Sequence, residues 1–482
     1  MKSHFFCLFL CMAALRAAGQ GYAPALVRED TFTRYHTAWW VPQQSGYAFL
    51  VNTPLYGLTL VRFDSAFSFV SRHYAYRYIS AADVYRSLSG DIMISGYRNS
   101  PGYQRVLSLL QLDSAGAGGW QAQGAFPGPI NFGTGSVQVS PDTFLVTGRR
   151  NVSGQYDAVS LANFSGTGAL RWEREYKTDG GGCYGLDVET APGGEALILA
   201  RHAPPDTSSP NIWLLRVSVA GDSLGSTYLG GRYDHANSLV KSPDGTYWVV
   251  TTENQSLSVR WFKHAIRVYK LSAAGQVLMT RRYAYLDDDA SFQGLQAVRA
   301  RGTADGGCII LGTISGSAAD TGYLHLYLLK LDASGNRQWE RLLGTADSDE
   351  ATDVLPLPGG GYAVSATSWA FPQQGGPPVP YLYTALLASD GTTGTGGPLP
   401  ALRISPRPSP FGSYLEAEAV LERPGLLHAA LYDARGAEVR ALSQHIAGAA
   451  ILRFDTRSLP DGVYFLRAST GTAAWSGTVI KR

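Results

Sequence analysis

The sequence predicts an all-β protein in which a seven-bladed β-propeller is followed by an Ig-like β-sandwich. Two observations carry this prediction: a composition that favours short strands and tight turns, and a hairpin signal that recurs seven times. The 482 residues include 55 glycines, 27 tyrosines and 10 tryptophans, and only 16% are charged. Aromatic residues favour strands and glycine favours turns, whereas ordinary domains are about one quarter charged.

The hairpin signal is a turn of Gly, Asp, Ser or Pro followed at once by a short apolar strand. Its seven turns are Ser45-Gly46, Ser89-Gly90, Pro141-Asp142, Gly193-Gly194, Asp244-Gly245, Gly306-Gly307 and Gly359-Gly360. They recur at intervals of about 44 to 61 residues, the range of one propeller blade. The signal therefore predicts seven repeats, and six or eight blades remain alternatives.

A second marker follows the first through the chain. An alternating strand ends in a short Asp/Ala/Gly turn, and the next strand carries an aromatic or large apolar residue, as in 326–344, 266–284 and 158–176. This marker also occurs seven times. Each repeat therefore reads as a four-stranded antiparallel meander.

One such sheet cannot bury both of its faces, and radial stacking of the sheets around an axis solves that problem. The last repeat lacks its fourth strand, because a glycine-rich stretch follows Asp390-Gly391. A strand-like segment at 31–40 belongs to no repeat. We expect this N-terminal segment to complete the last blade and close the ring.

The run from Leu331 to Thr367 resembles the repeats of bacterial surface propellers related to the quinoprotein-like and delta-60 groups. The similarity extends over about 31–395. It implies the architecture and says little of function, since such repeats occur in proteins of many roles.

The N-terminus resembles a secretory signal peptide, residues 1–19. Lys2 supplies the positive charge, 5–15 the apolar core, and Ala17-Ala18-Gly19 the small residues before cleavage at Gln20. A lipoprotein signal built on Cys11 is the alternative. Residues 20–391 then form the propeller, and no later segment is apolar for long enough to predict a membrane-spanning helix. Cys183 and Cys308 are expected to be isolated buried thiols.

A glycine-rich linker, 392–401, separates the propeller from a domain at 402–482 with short alternating strands, which suits a small sandwich. This domain resembles the type A C-terminal sorting domain of the type IX secretion system of Bacteroidetes. The matching residues are Tyr432, Gly436, Gly462, Val463, Tyr464, Lys481 and Arg482. The family's opening aromatic and Asn are missing from Ser405-Pro406-Arg407-Pro408.

That resemblance implies a type IX secretion machinery as partner, and a secreted or outer-membrane-surface location. It also implies removal of the domain after export in many cases. An accessory sandwich that only binds or spaces is the alternative.

Motifs for chemistry are missing from the sequence. It contains no nucleophile elbow, Walker loop, Rossmann fingerprint or paired-histidine metal motif, so no catalytic or cofactor-binding residue is predicted. The formal net charge is only +2, without a basic stripe, which argues against a nucleic-acid partner.

Acidic residues do recur in the connections between blades. They are Asp179, Asp234, Asp287 to Asp289, Asp347, Asp349 and Glu350. Such loops gather on one face of a propeller, so Asp287, Asp289, Asp347 and Asp349 are candidate Ca²⁺ ligands. Aspartates that cap turns and keep the rim soluble are the competing interpretation.

These patterns favour a non-catalytic surface propeller that presents its inter-blade loops to a glycan, peptide or matrix partner. A secreted glycoside hydrolase or lyase with acids at the central channel is the first alternative. A structural component of the envelope is the second.

Overall fold

A computed structural model describes residues 25–27, 37–41, 47–53, 57–63, 69–75, 79–100, 104–113, 116, 118–125, 131–151, 157–178, 181–203, 211–231, 234–258, 261–284, 294–315, 324–344, 348–357, 360–370, 379–391, 402–407, 411–421, 425–433, 437–446, 449–469 and 474–481. The chain forms two compact units, 1–394 and 395–482. The regular structure of the described residues is β-strand, apart from one 3-10 turn at Pro192–Gly194. None of their helices has the length and hydrophobicity to cross a bilayer.

The described part of the first unit contains seven four-stranded antiparallel sheets, here numbered sheet 1 to sheet 7. A short strand near the N-terminus, β1 (Ala25–Val27), belongs to sheet 7. Sheet 1 is β2 (Thr37–Val41), β3 (Tyr47–Thr53), β4 (Gly57–Phe63) and β5 (Phe69–Ala75). Sheet 2 is β6 (Ile79–Arg86), β7 (Ile92–Ser100), β8 (Gln104–Leu112) and β9 (Gln121–Gln123).

The next three sheets repeat this meander. Sheet 3 is β10 (Asn131–Ser140), β11 (Thr143–Asn151), β12 (Asp157–Ser165) and β13 (Leu170–Tyr176). Sheet 4 is β14 (Gly182–Thr190), β15 (Ala196–Ala203), β16 (Ile212–Val217) and β17 (Ser223–Leu229). Sheet 5 is β18 (His235–Lys241), β19 (Tyr247–Ser258), β20 (Trp261–Leu271) and β21 (Val277–Tyr283).

The last two sheets complete the first unit. Sheet 6 is β22 (Gly294–Gly302), β23 (Cys308–Ser315), β24 (Leu324–Leu331) and β25 (Arg337–Leu343). Sheet 7 is β26 (Ser348–Pro356), β27 (Tyr362–Ala370), β28 (Val379–Leu387) and the N-terminal β1. In sheets 2 to 6, the predicted hairpin signal is the connection between the first and second strands. Ser45-Gly46 and Gly359, which belong to the signals expected for sheets 1 and 7, lie outside the described residues.

Apolar cores lie between successive sheets. Between sheets 5 and 6, for example, Trp248 and Val250 pack with Ile310 and Leu329. Equivalent clusters join sheets 1 and 2, 2 and 3, 3 and 4, 4 and 5, and 6 and 7. Strand β2 of sheet 1 also contacts β26 and β27 of sheet 7. The succession of sheets therefore closes on itself, which is the architecture of a β-propeller.

The strand that completes sheet 7 differs from the one expected. An N-terminal strand does pair with β28, but it is β1, with Leu26 opposite Tyr383. The expected segment, 31–40, instead contributes to β2, the first strand of sheet 1. Trp39 and Val41 belong to the apolar core shared by sheets 1 and 2. Burial of these two side chains in that core explains why the segment forms part of sheet 1. With only three residues, β1 is too short to show the alternation of apolar and polar residues by which a strand is recognised in a sequence.

The second sequence marker has a packing explanation. The Trp120 indole in sheet 2 donates a hydrogen bond to the Gly166 carbonyl in sheet 3, at 3.0 Å. A Cβ at Gly168, whose φ is +81°, would lie 2.5 Å from the Trp120 ring. Trp339 of sheet 6 lies in the same way against Gly391 of sheet 7. The aromatic residue and the turn glycine are therefore two halves of one contact between sheets.

The second unit contains a three-stranded and a four-stranded sheet within its described residues. Its strands are β29 (Leu402–Arg407), β30 (Tyr414–Leu421), β31 (Gly425–Tyr432), β32 (Glu438–Ile446), β33 (Ala449–Asp455), β34 (Gly462–Ser469) and β35 (Ala474–Lys481). The orders are β29-β30-β33 and β32-β31-β34-β35. Leu415 and Leu452 of the first sheet share one core with Leu431 and Leu466 of the second.

Candidate functional site

The first strand of six sheets is interrupted at the same place. In the described residues, the pairing with the second strand shifts by one residue in sheets 2 to 7, whereas β2 of sheet 1 pairs without a shift. The shifts lie at Ala81/Asp83, Gly133/Gly135, Gly185/Asp187, Ala236/Ser238, Ala297/Arg299 and Ala351/Asp353. Such a bulge bends a strand and re-aims its side chains.

Polar side chains that follow the bulges connect each sheet to the next. Asp187 of sheet 4 accepts the Leu239 N–H of sheet 5 at 2.9 Å. Asp353 of sheet 7 accepts the Trp40 N–H of sheet 1 at 3.0 Å. Ser238 of sheet 5 does the same for sheet 6. The residues after these bulges therefore supply acceptors for main-chain N–H groups on the first strand of the following sheet.

Arg299 of sheet 6 reaches much further. Its guanidinium forms an ion pair with Asp83 of sheet 2, and its Nε lies 3.4 Å from Asp353 Oδ1 of sheet 7. Sheets 2 and 6 are not neighbours, so their first strands must surround a common axis, which the Arg299 side chain crosses. Burial lowers the pKa of Arg299, but the surrounding carboxylates, Asp83 first, outweigh burial and raise it above its ordinary value.

A cavity of about 540 Å³ opens beside this ion pair, near the turns between first and second strands. A volume of that size is typical of small-molecule sites. Its charged lining residues, among those described, are Asp83, Asp187, Glu189, Lys241, Arg299 and Arg301. Tyr85 and Ser136 also line this wall, although the hydroxyl oxygens of both residues are buried within it.

Two carboxyl groups of the cavity, both on β14, hold protons more tightly than usual. Burial, followed by repulsion from Asp83, raises the pKa of Asp187 to about 6. Burial and the charge of Asp187 raise the pKa of Glu189 to about 7. Asp187 and Glu189 keep some contact with the cavity although protein surrounds them. The proton content of this wall therefore changes between mildly acidic and mildly basic pH.

Two cations of the cavity are only partly neutralised. Arg301 NH2 lies 3.4 Å from Asp353 Oδ1, and the buried Arg301 Nε–H has no hydrogen-bond partner in the described part of the chain. The exposed Lys241 ammonium donates to the Thr190 hydroxyl at 2.8 Å. These groups can donate hydrogen bonds to a ligand. Burial and the Asp83 charge also raise the pKa of Tyr85 well above its usual value, so its hydroxyl stays protonated.

Of the acids expected at the inter-blade loops, the described ones, Asp234, Asp349 and Glu350, do not line this cavity. Asp179, Asp287, Asp288, Asp289 and Asp347 lie outside the described residues. Asp234 is buried, accepts the Gly231 N–H at 2.7 Å and pairs with Arg267 at 3.3 Å, as expected of a turn-capping acid. Asp349 is fully buried and accepts a hydrogen bond from the Ser368 hydroxyl, whereas Glu350 is exposed on the same strand.

No group of three or more His, Cys, Asp or Glu residues suited to a metal ion occurs among the described residues. The Ca²⁺ site at Asp287, Asp289, Asp347 and Asp349 stays a prediction, since three of its four residues are outside that part of the chain. Cys183 and Cys308 are both buried free thiols.

The residues that match the sorting-domain pattern have two different environments. Tyr464 is buried, packs 6.2 Å from the Phe411 ring and donates to the Pro460 carbonyl at 2.7 Å. Val463 beside it is 45% exposed and lies opposite the equally exposed Ile480. Gly462 is exposed at the start of β34, Tyr432 is half-buried, and Lys481 lies 3.4 Å from Asp461. Gly436 and Arg482 are outside the described residues.

No protein-family model and no curated protein matches this sequence. Among solved structures, the chain is similar to a protein of unknown function from Bacteroides caccae, with a TM-score of 0.36 and 13% identity over 64% of this chain and 94% of that one. It is also similar to the β-propeller domain of the Trilobed protease from Pyrococcus furiosus, with a TM-score of 0.43 and 9% identity over 77% and 100%.

A third similar structure is an α-L-arabinanase of Penicillium chrysogenum complexed with arabinobiose, with a TM-score of 0.39 and 9% identity over 77% of this chain and 98% of that one. At TM-scores this low, the similarity says nothing of substrate or chemistry in this chain.

The sequence search for paired motifs missed the cavity because its residues come from different repeats. A signal was present, however. Each interrupted first strand has a small residue two positions before the residue that follows the bulge, with no constraint on the residue between them. Examples are Ala81-Ala82-Asp83 and Ala351-Thr352-Asp353. When a polar residue recurs at the same position of the first strand in successive repeats, its side chain is expected to face the axis.

Proposed function

We propose that this protein is a surface-exposed or secreted seven-bladed propeller that binds a polar extracellular ligand, without catalysis, in the cavity beside Arg299. The seven four-stranded sheets support that blade number, and the two-sheet second unit is consistent with an Ig-like sandwich. The observation that carries the binding function is the cavity itself: about 540 Å³, with charged groups from sheets 2, 4, 5 and 6 converging on it.

The partners of the cavity acids favour binding over chemistry. Asp83 and Asp353 are paired with Arg299, and each also accepts a main-chain N–H. Asp187 accepts N–H groups from Val188 and Leu239, both at 2.9 Å. These carboxylates hold the ring together, whereas a glycosidase needs two carboxyl groups that are available on either side of its substrate.

A glycoside hydrolase is the second candidate, and one observation favours it. Glu189 has a pKa raised to about 7 beside a cavity, which is the property of a general acid at neutral pH. Asp187, two residues away on the same strand, would have to act as its partner. A purely structural role in the envelope is the remaining alternative.

The binding experiment uses the purified full-length chain and a glycan array containing neutral and acidic oligosaccharides, with and without Ca²⁺. We expect at least one class of glycan to be retained without cleavage. Release of shortened sugars that is abolished by Glu189→Gln would establish the hydrolase instead. Absence of both binding and cleavage, with the chain folded, would favour the structural role.

Export forms a separate part of the proposal. The resemblance of 402–482 to a type A sorting domain supports passage through a type IX secretion machinery after removal of a signal peptide at 1–19. Deletion of 402–482 should trap the protein in the periplasm. Normal surface display of the truncated chain would show that the second unit does not direct export.

A further inference from the structure

The charges of the cavity show which ligand class it fits. Three cations, Lys241, Arg299 and Arg301, and four carboxyl groups, Asp83, Asp187, Glu189 and Asp353, line it or contact its charged wall in the described residues. The net charge is minus one when all four acids are ionised. It becomes plus one when Asp187 and Glu189 are protonated.

The hydrogen-bonding groups of the cavity are unbalanced as well. The acceptor oxygens of Asp83 and Asp187 are occupied by protein donors. Donors remain at the Arg301 guanidinium, whose side chain is 27% exposed, and at Lys241 on the mouth of the cavity. The cavity therefore suits a ligand that is rich in acceptors and carries negative charge.

We propose that the cavity binds the carboxylate of an acidic sugar between the Arg301 guanidinium and the Lys241 ammonium, with the Glu189 carboxyl group donating a hydrogen bond to it. The inference rests on the binding function proposed above and names its ligand class. Guanidinium groups recognise carboxylates well because their N–H donors match the two oxygens.

A sugar acid fits these groups better than the C-terminus of a peptide. Its ring and hydroxyl oxygens add acceptors, which the Lys241 and Arg301 donors can meet, and each sugar hydroxyl can rotate to suit its neighbours. A peptide segment brings a main-chain N–H for every carbonyl, and the cavity has few free acceptors for them.

If the sugar carboxylate binds in this way, binding is coupled to the uptake of a proton by Glu189. The bound carboxylate lies beside Glu189 and favours its neutral form, so affinity should rise as pH falls. The groups that face Glu189 and set this dependence are Asp187 on its own strand, Lys241 on β18, and Asp83, Arg299 and Arg301 on β6 and β22.

The test is isothermal titration calorimetry of the full chain with digalacturonate, with the neutral disaccharide galactobiose and with trialanine, at pH 5.5 and pH 8.0. We expect digalacturonate to bind at least about tenfold more tightly at pH 5.5, with proton uptake that shows as buffer-dependent heat. Arg301→Gln should weaken binding at least about tenfold. Glu189→Gln should lose most of this pH dependence and keep only the part that comes from Asp187.

Arg174→Gln, on the outermost strand of sheet 3, is the matched control and should bind like the wild type. Lys241→Gln, at an exposed position, gives a second measure of the same site should Arg301→Gln fail to fold. Equal affinity at both pH values, or unchanged binding in the Arg301 and Lys241 variants, overturns the inference. Binding of galactobiose or trialanine without binding of digalacturonate overturns the acidic-sugar inference but leaves the proposed binding function intact. If neither these probes nor any glycan on the array binds, both the inference and the proposed binding function are overturned.

Discussion

Arg299 and Asp83, 216 residues apart in sequence and on non-adjacent sheets, form an ion pair across the axis of the propeller. Asp353 lies on the other side of the same guanidinium, at 3.4 Å from Nε. One arginine thus connects sheets 2, 6 and 7. Its removal would leave the buried Asp83 carboxylate without its counter-charge and Asp353 with Arg301 alone.

We therefore expect Arg299→Met to destabilise the propeller by about 3 to 5 kcal/mol, the range found when a buried pair loses one partner. The measurement is urea unfolding followed by tryptophan fluorescence. Adding Asp83→Asn to Arg299→Met should recover part of the loss, because it removes the carboxylate that has lost its counter-charge. Arg174→Met is the control and should change stability by less than about 0.5 kcal/mol. A loss that Asp83→Asn does not reduce would contradict the axial ion pair.

Glu189 makes stability depend on pH in an uncommon direction. Its pKa is about 7 in the folded chain against an ordinary value of 4.5, so the folded state keeps the proton over that interval and the unfolded state does not. The free energy of unfolding should therefore fall as pH rises from about 4.5 to about 7. The total is at most about 3 kcal/mol for a shift of this size.

Glu189→Gln should flatten that pH dependence and make the variant more stable than the wild type at pH 8. Unfolding curves collected at intervals from pH 4.5 to pH 8 measure the effect. Glu350→Gln, at an exposed site, serves as the control. A Glu189→Gln variant whose stability depends on pH as steeply as that of the wild type would contradict the environment assigned to Glu189.

The N-terminal strand β1 should stabilise the ring, because it covers the edge of β28. In a chain that starts at Gln20, deletion of 20–28 should lower the unfolding free energy of the propeller by about 1 to 3 kcal/mol. Differential scanning calorimetry can measure this change. Deletion of 20–23 alone leaves β1 in place and should have little effect. Equal behaviour of the two deletions would show that β1 does not contribute to closure.

Under the export proposed above, Val463 and Tyr464 of the second unit would have different roles, Val463 in recognition and Tyr464 in folding. Val463→Asp changes an exposed side chain and should reduce export while leaving stability nearly unchanged. Tyr464→Ala removes a buried ring and should destabilise the unit by about 3 to 5 kcal/mol. Surface display and protease resistance, measured together, distinguish the two effects. Full surface display of Val463→Asp would exclude the Val463–Ile480 pair as a recognition surface.

Much of the propeller could be predicted from local sequence because its repeats are local structures. A turn such as Asp244-Gly245 and the strand after it are specified by neighbouring residues, and the pairing of β18 with β19 follows. The aromatic-to-glycine contact, as between Trp120 and Gly168, left a second periodic signal. Ring closure was also inferred correctly, although the closing strand was assigned to 31–40 instead of Ala25–Val27.

The candidate site was beyond such reasoning for a physical reason. Asp83, Asp187, Arg299 and Asp353 lie in separate repeats, and no local pattern fixes which of them meet across the axis. Bulges at equivalent positions aim these side chains inward, and a one-residue shift in pairing is invisible in the alternation of apolar residues.

The sequence alone therefore determined the repeating β-meanders, the turns and the two-part organisation, since these depend on residues a few positions apart. Only the tertiary structure decided which charges meet at the axis and which carboxyl groups are desolvated enough to hold a proton near neutral pH. Those properties depend on distances across the ring and on exclusion of water, which the order of residues along the chain does not show.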